Sequence, residues 1–164
     1  MTTQRGQSAW FDAQTTAALL AIDPHGLGGI CVKSQFGPIR DAWFAFLKTQ
    51  IVLGTHFQKI PLQIQDEQLL GGLDLEATLQ CGKPVYSNGL LAKSNGGFIV
   101  LPMAERMSPH TIAHILQVVD RGEVRHPQQT AELTPCTFGM IAFDEGIGPD
   151  ESMHPRLAEH MAFE

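Results

Sequence analysis

Between Ser34 and Asp41 the chain has the spacing of a phosphate-binding loop with other chemistry in its key places. Gly29-Ile-Cys-Val32 reads as a short buried strand, and Lys33 to Ile39 holds a turn containing Gly37 and Pro38. Arg40-Asp-Ala-Trp-Phe-Ala-Phe-Leu47 then carries apolar residues at helical spacing. Strand, turn and helix in that order match the loop GxxxxGK followed by Ser or Thr. Such a loop needs glycines so that amides can close around phosphates, a Lys for the outer phosphates and a hydroxyl for magnesium. Here Ser34 stands at the first Gly, Ile39 at the second, Arg40 at the Lys and Asp41 at the hydroxyl. Ile39 brings a β-branched side chain where close backbone approach is required, and Pro38 removes an amide donor. Asp41 is expected to set a carboxylate at the helix N-terminus, in the place of an incoming phosphate. Ser34, Gly37, Arg40 and Asp41 are thus the candidate cofactor-binding positions of a degenerate loop, with Arg40 the one residue suited to touch a phosphate.

The elements that position this loop follow from the rest of the chain. A length of 164 residues is enough for one domain with its own core. The hydrophobic fraction of 43% and charged fraction of 17% are those of a globular domain, and the net charge of −6 with no basic run speaks against nucleic-acid binding. Cys31, Cys81 and Cys136 are odd in number and widely spaced, which suggests neither a disulfide framework nor a zinc site and fits a reducing compartment. No signal peptide and no membrane span are expected, and the abrupt close at Leu157–Glu164 leads to the expectation that the natural chain continues.

Thr15 to Ile22 reads as a helix ended by Asp23-Pro24, and Gly54 to Pro61 as a second strand followed by a polar segment, Gln63 to Gln68. A helix is expected from Asp74, a hairpin or extended excursion over Gly82–Gly89, and a helical turn at Leu90–Lys93. Phe98-Ile-Val-Leu101 is a continuous apolar run suited to a central parallel strand. Ser108-Pro109 starts a helix whose Ile112, Ile115, Leu116 and Val119 share one face, and Gly122 ends it. Val124 to Thr137 reads as a polar hairpin, Phe138 to Phe143 as a buried strand and Met153 to Met161 as a closing helix. Alternation of this kind predicts a three-layer α/β domain with a parallel central sheet.

Taken together, Leu20-Ala-Ile-Asp-Pro-His-Gly-Leu-Gly-Gly29, Leu70-Gly-Gly-Leu-Asp-Leu-Glu76, Asn88-Gly-Leu-Leu-Ala-Lys-Ser-Asn-Gly-Gly97 and Leu101-Pro-Met-Ala-Glu-Arg106 resemble the amino-terminal AAA+ domain of magnesium chelatase D subunits over nearly the whole chain. The resemblance implies a P-loop NTPase-like fold with helix-2-insert and hairpin insertions and the lid absent from this chain, so that residues 1–164 form a single core domain. A helical lid, a Pro-rich acidic linker and an integrin-I-type domain would follow in the natural protein. In the ATPase relatives an Asp-Glu pair ends the central strand to order magnesium and polarise water; the matching positions here are Pro102 and Met103, which can do neither. The resemblance puts Asp144 or Glu145 at the sensor position, where an unpaired carboxylate would repel a γ-phosphate, and His160, with Arg156 nearby, at the arginine-finger position.

The implied role is a non-hydrolysing platform that assembles in a ring with the ATPase I subunit, so that magnesium enters protoporphyrin IX on the large porphyrin-binding H subunit in (bacterio)chlorophyll synthesis. On this reading the domain itself binds no cofactor, ATP and magnesium belong to the assembled complex, and the location is the bacterial cytoplasm or the plastid stroma. Arg40, Arg106, Arg121, Arg125 and Arg156 are the candidates for contacts in trans. Two rivals stand beside it: a weak nucleotide-binding or ATPase domain with Arg40 in the Lys's role, and a regulatory AAA+ adaptor unrelated to pigment. His110 and His114 have a spacing that can place two imidazoles on one metal, but no Glu follows His110 as in HExxH and no third ligand is evident, so they are read as solvent-facing. The acidic cluster Asp144, Glu145, Asp150 and Glu151 has the wrong spacing for a calcium hand. Trp10, Phe11, Trp43, Phe44 and Phe46 are read as core or intersubunit packing, and Asp23-Pro24-His25 as turn chemistry.

Overall fold

Continuous apolar runs such as Phe98–Leu101 become strands buried on both faces. In the computed structural model, which describes residues 2–125, 133–148 and 150–164, four strands form a parallel sheet. These are β1 (Gly29–Lys33), β2 (Phe57–Lys59), β5 (Phe98–Leu101) and β8 (Gly139–Asp144), in the order β1-β8-β5-β2. β5 and β8 are central and buried throughout, with Ile99 opposite Met140 and Val100 opposite Ile141.

The two-residue period of the strands sorts their side chains into two cores. Ile30, Phe98, Val100, Ile141 and Phe143 face a cluster with Ala17, Leu20, Trp43 and Leu47, supplied by α1 (Thr2–Ile22) and α2 (Pro38–Gln50). Cys31, Ile99, Leu101, Met140 and Ala142 face the other cluster. There they meet Ile112, Ile115 and Leu116 of α6 (Pro109–Arg121), Leu91 of α5 (Leu90–Lys93) and Leu157 of α7 (Pro155–Ala158). The result is the three-layer α/β arrangement that the alternation predicts. Ser108 caps α6 by accepting from the Thr111 amide, and Gly122 closes it in the left-handed conformation.

Between β2 and β5 the chain makes an excursion of α3 (Asp66–Leu70), β3 (Gly71–Leu73), α4 (Leu75–Cys81), β4 (Tyr86–Asn88) and α5. β3 and β4 pair antiparallel, and Asp74 caps α4 by accepting from the Ala77 amide. A second antiparallel pair, β6 (Glu123–Arg125) with β7 (Leu133–Pro135), forms the legs of the expected hairpin; its turn, 126–132, lies outside the described residues.

Three expectations shift. α1 begins at Thr2 rather than near Thr15, because Trp10, Ala13, Ala17 and Leu20 recur at helical spacing and pack onto α2 and the sheet, with the Trp43 indole donating to the Ala13 carbonyl at 2.8 Å. The second strand is limited to Phe57–Lys59. The closing helix shrinks to Pro155–Ala158, and the chain then runs extended along β1, where the Cys31 amide donates to the Phe163 carbonyl at 2.9 Å. Only glycine fits at position 28 for that crossing: its φ is +70°, and a Cβ there would stand 2.1 Å from the His160 carbonyl oxygen.

Phe98, fully buried and stacked on Phe57 at 5.2 Å between centroids, links the central strand to the edge strand β2. Phe98→Ala should cost about 3–5 kcal/mol of unfolding free energy in a urea titration followed by far-ultraviolet circular dichroism.

Candidate functional site: the loop between β1 and α2

The loop leaving β1 is four residues long, Ser34 to Gly37, and α2 starts at Pro38. Its Gly37 is fully extended (φ 165°, ψ 179°), and no residue from Ser34 to Asp41 has a left-handed φ. The backbone therefore never curls into the concavity of converging amides that surrounds a phosphate. The Ser34 amide is spent on the Asp144 carbonyl (3.0 Å), and the Ser34 hydroxyl donates to the neighbouring Gln35 carbonyl (3.1 Å). Ile39 projects into solvent.

Arg40, the one cation of the loop, is turned inward. Its guanidinium forms an ion pair with Glu145, just past the end of β8, and lies between the rings of Phe36 and Phe143, 4.8 and 4.7 Å from their centroids. Both charges are largely withdrawn from water, with side-chain exposures of 11% and 22%. Gln35 adds a bond from its side-chain amide to the Glu145 carbonyl at 2.9 Å. The Glu145 carboxylate is thus paired.

Asp41 falls in the first turn of α2, as expected, but its side chain is exposed and makes no capping bond. The anion held against the start of α2 is Glu145, delivered by tertiary structure from the opposite strand.

On the central strand, Pro102 and Met103 follow β5, and Met103 is the only non-glycine residue with positive φ among the described residues (φ 48°, ψ 52°). Two positions on stands a carboxylate that sequence reasoning passed over. Glu105 is 2% exposed, and its Oε2 accepts from the Glu145 amide at 3.0 Å. Its Oε1 lies 3.3 Å from the Arg106 Nε, off the line of a hydrogen bond, and has no hydrogen-bond partner among the described residues. The signal was the helical turn at Ala104–Arg106, which brings Glu105 round toward β8. Asp144, also buried, accepts from the amides of Gly146 (2.9 Å) and Met153 (3.3 Å) and so shapes the segment after β8. Glu151 likewise closes on the Ile147 amide at 3.1 Å, so these acids serve as loop braces.

His160 faces its own chain. Nδ1 contacts the Arg156 carbonyl (2.8 Å) and Nε2 the Asp120 carboxylate (3.0 Å). Burial disfavours the imidazolium, but these two acceptors outweigh it and raise the pKa above the usual histidine value. Arg156 is exposed, as is Arg106. Cys31 and Cys136 are buried, and burial pushes each thiol up to about 11, which removes them as nucleophiles at neutral pH. Beside the loop, an apolar cavity of about 940 Å³ opens between α1, β1 and the start of α2, lined by Trp10, Ala13, Val32, Ile39, Arg40 and Phe163. No helix among the described residues is long and apolar enough to cross a membrane.

A parallel sheet with a loop-to-helix turn beside its central strands, an inserted hairpin and helices on both faces defines an AAA+ ATPase-like domain. A chain from a modelling of the complex between subunits BchI and BchD of magnesium chelatase, based on a cryo-EM reconstruction, superposes with a TM-score of 0.66 at 20% identity, over 92% of this chain and 56% of that one. In sequence, the chain is 31% identical over 148 residues to the magnesium-chelatase 60 kDa subunit of Rhodobacter capsulatus and 34% identical over 153 residues to that of Cereibacter sphaeroides. These matches take in 90% and 93% of the chain but 23% and 24% of the relatives, so the chain spans about a quarter of the length of those proteins. No family model matches it. Over most of its length the chain is similar to magnesium-chelatase D subunits, and its fold is that of an AAA+ ATPase-like domain.

Two measurements probe this geometry. Glu145→Gln should strand the Arg40 guanidinium and lower stability by about 1–3 kcal/mol, and Arg40→Met combined with Glu145→Leu should recover most of the loss in a urea-denaturation double-mutant cycle. Because the His160 pKa is raised on folding, its contribution is complete below the unfolded value near 6.5 and is lost as pH rises through the folded value. Thermal melts from pH 5.5 to 8.5 should therefore fall less steeply with pH in His160→Gln than in the parent protein.

Proposed function

We propose that this domain is a non-hydrolysing AAA+ platform of a magnesium chelatase, one that assembles with an ATPase I subunit and supports ATP-driven insertion of magnesium into protoporphyrin IX on the porphyrin-binding H subunit. The observation that carries this reading is the Arg40–Glu145 pair: the cation that would meet a phosphate is already neutralised, beside a loop whose backbone forms no anion nest. Pro102 and Met103 offer no ligand for magnesium and no base for water at the end of β5. Kinship with D subunits supports the chelatase role, and the description of BchI and BchD in one complex supports an I-type partner. ATP and magnesium then act at the partner's sites, and this chain senses their state through packing at shared interfaces in a ring. Ser34, Gly37, Arg40 and Asp41 are vestiges of a phosphate loop, while Arg156 and His160 occupy the finger region, in the cytoplasm of a bacterium.

A second reading has one observation in its favour. The apolar cavity beside Arg40 has the size of a small-molecule site, which would suit a base if the Arg40–Glu145 pair opened to admit a nucleotide. The two readings separate on phosphate release. The purified protein should release no phosphate from ATP above the blank, yet should raise magnesium-porphyrin formation when added to I and H subunits. Hydrolysis by the chain alone that disappears in Arg40→Ala would establish the second reading in place of the first.

A further inference from the structure

Away from the loop, the start of α3 and the exposed side of α6 bring Asp66, His110 and His114 together. Each offers one ligand atom, and these atoms lie within 4.8 Å of one another. His110 Nε2 stands 3.0 Å from Asp66 Oδ2 and 3.1 Å from Oδ1, His114 Nε2 is 3.2 Å from His110 Nε2, and His114 Nε2 is 3.8 Å from Asp66 Oδ2. Hydrogen bonding alone serves this arrangement poorly. A single N–H at His110 Nε2 would have to reach two carboxylate oxygens and a second imidazole nitrogen, and if His114 donates instead, the His110 lone pair is left facing an acceptor-only carboxylate.

A cation resolves the conflict by accepting a lone pair from all three. Ligands about 2.0–2.1 Å from a tetrahedral ion stand about 3.3 Å from each other. The observed separations of 3.0, 3.2 and 3.8 Å bracket that value. We propose that Asp66, His110 and His114 form a binding site for a divalent first-row transition ion, zinc foremost, that ties α3 to α6.

Two imidazoles and one carboxylate suit zinc, nickel or copper, whereas magnesium prefers an all-oxygen octahedron, so the site is distinct in chemistry from the chelatase's cargo. His110 and His114 lie one turn apart on α6, a helix whose opposite side is anchored by Ile112, Ile115 and Leu116 in the core, and this fixes the spacing of the two rings. Asp66 arrives at the first position of α3, a five-residue helix at the base of the excursion between β2 and β5. Exposures of 67% for His110 and 46% for Asp66 leave room for an ion to enter and for solvent to complete its coordination. An ion there would clamp the inserted hairpin segment to the body of the domain.

The test is calorimetric titration of the purified protein with zinc chloride, repeated with Asp66→Asn, His110→Ala and His114→Ala. All three residues are on the surface side of their elements, and circular dichroism verifies that the variants fold. One zinc per chain is expected, with affinity lowered about tenfold or more in each variant, since loss of a direct ligand should cost at least as much as loss of an outer-shell partner. Cobalt should give the intense visible bands of a tetrahedral site, and backbone amides in 66–70 should exchange more slowly with zinc present. Equal zinc affinity in the parent and all three variants would overturn the proposal, because it would place the ion on other histidines. Displacement of zinc by equimolar magnesium would overturn it as well.

Discussion

One ion pair sets the character of this domain. Arg40 begins at the place where a nucleotide-binding protein keeps its phosphate lysine, and it ends on Glu145, at the exit of the strand that pairs with β1. The guanidinium lies over two aromatic rings and the pair is largely withdrawn from water, so its charge is not on offer to a solute. The pair also ties the loop before α2 to the segment after β8, and Glu105 secures that segment from the third strand through the Glu145 amide. The loop before α2 and the turns after β5 and β8 are thus joined in one network.

The rest of the fold makes that network rigid. β5 and β8 are buried on both faces, their side chains divided between the α1/α2 core and the α5/α6/α7 core. The ends of these strands are therefore fixed in space, and loops leaving them meet at defined distances. The chain end also contributes, because residues 162 and 163 hydrogen-bond along β1 beneath the same loop. His160 lies on this approach and is bound to Asp120 near the end of α6, so the segment after α7 is held to the body of the domain.

The element sequence was largely readable in advance, since it rests on local patterns. The apolar run at Phe98–Leu101, the Ser108-Pro109 start and the Gly122 stop each carry their cause within a few residues. Where the reading failed, packing had overruled local preference. The first half of α1 has no strong amphipathic signature, yet it is helical because Trp10 and Ala13 find a surface on α2. The last helix is short because the chain beyond it gains more by lying along the edge of β1. Sequence position puts Asp41 in the first turn of α2, but the carboxylate that pairs with Arg40 there is Glu145, from just past the end of β8.

The sequence by itself determined which chemistry was unavailable. A bulky aliphatic, an imino acid and a thioether at positions 39, 102 and 103 cannot close around phosphate or hold magnesium in any fold. Only the tertiary structure decided which groups meet: Glu145 against Arg40, Glu105 on the Glu145 amide and, elsewhere on the domain, Asp66 brought across 44 residues to two histidines. The reason is physical. What a side chain lacks is a property of its own atoms, whereas its partner is set by which distant strands and helices the buried core forces together.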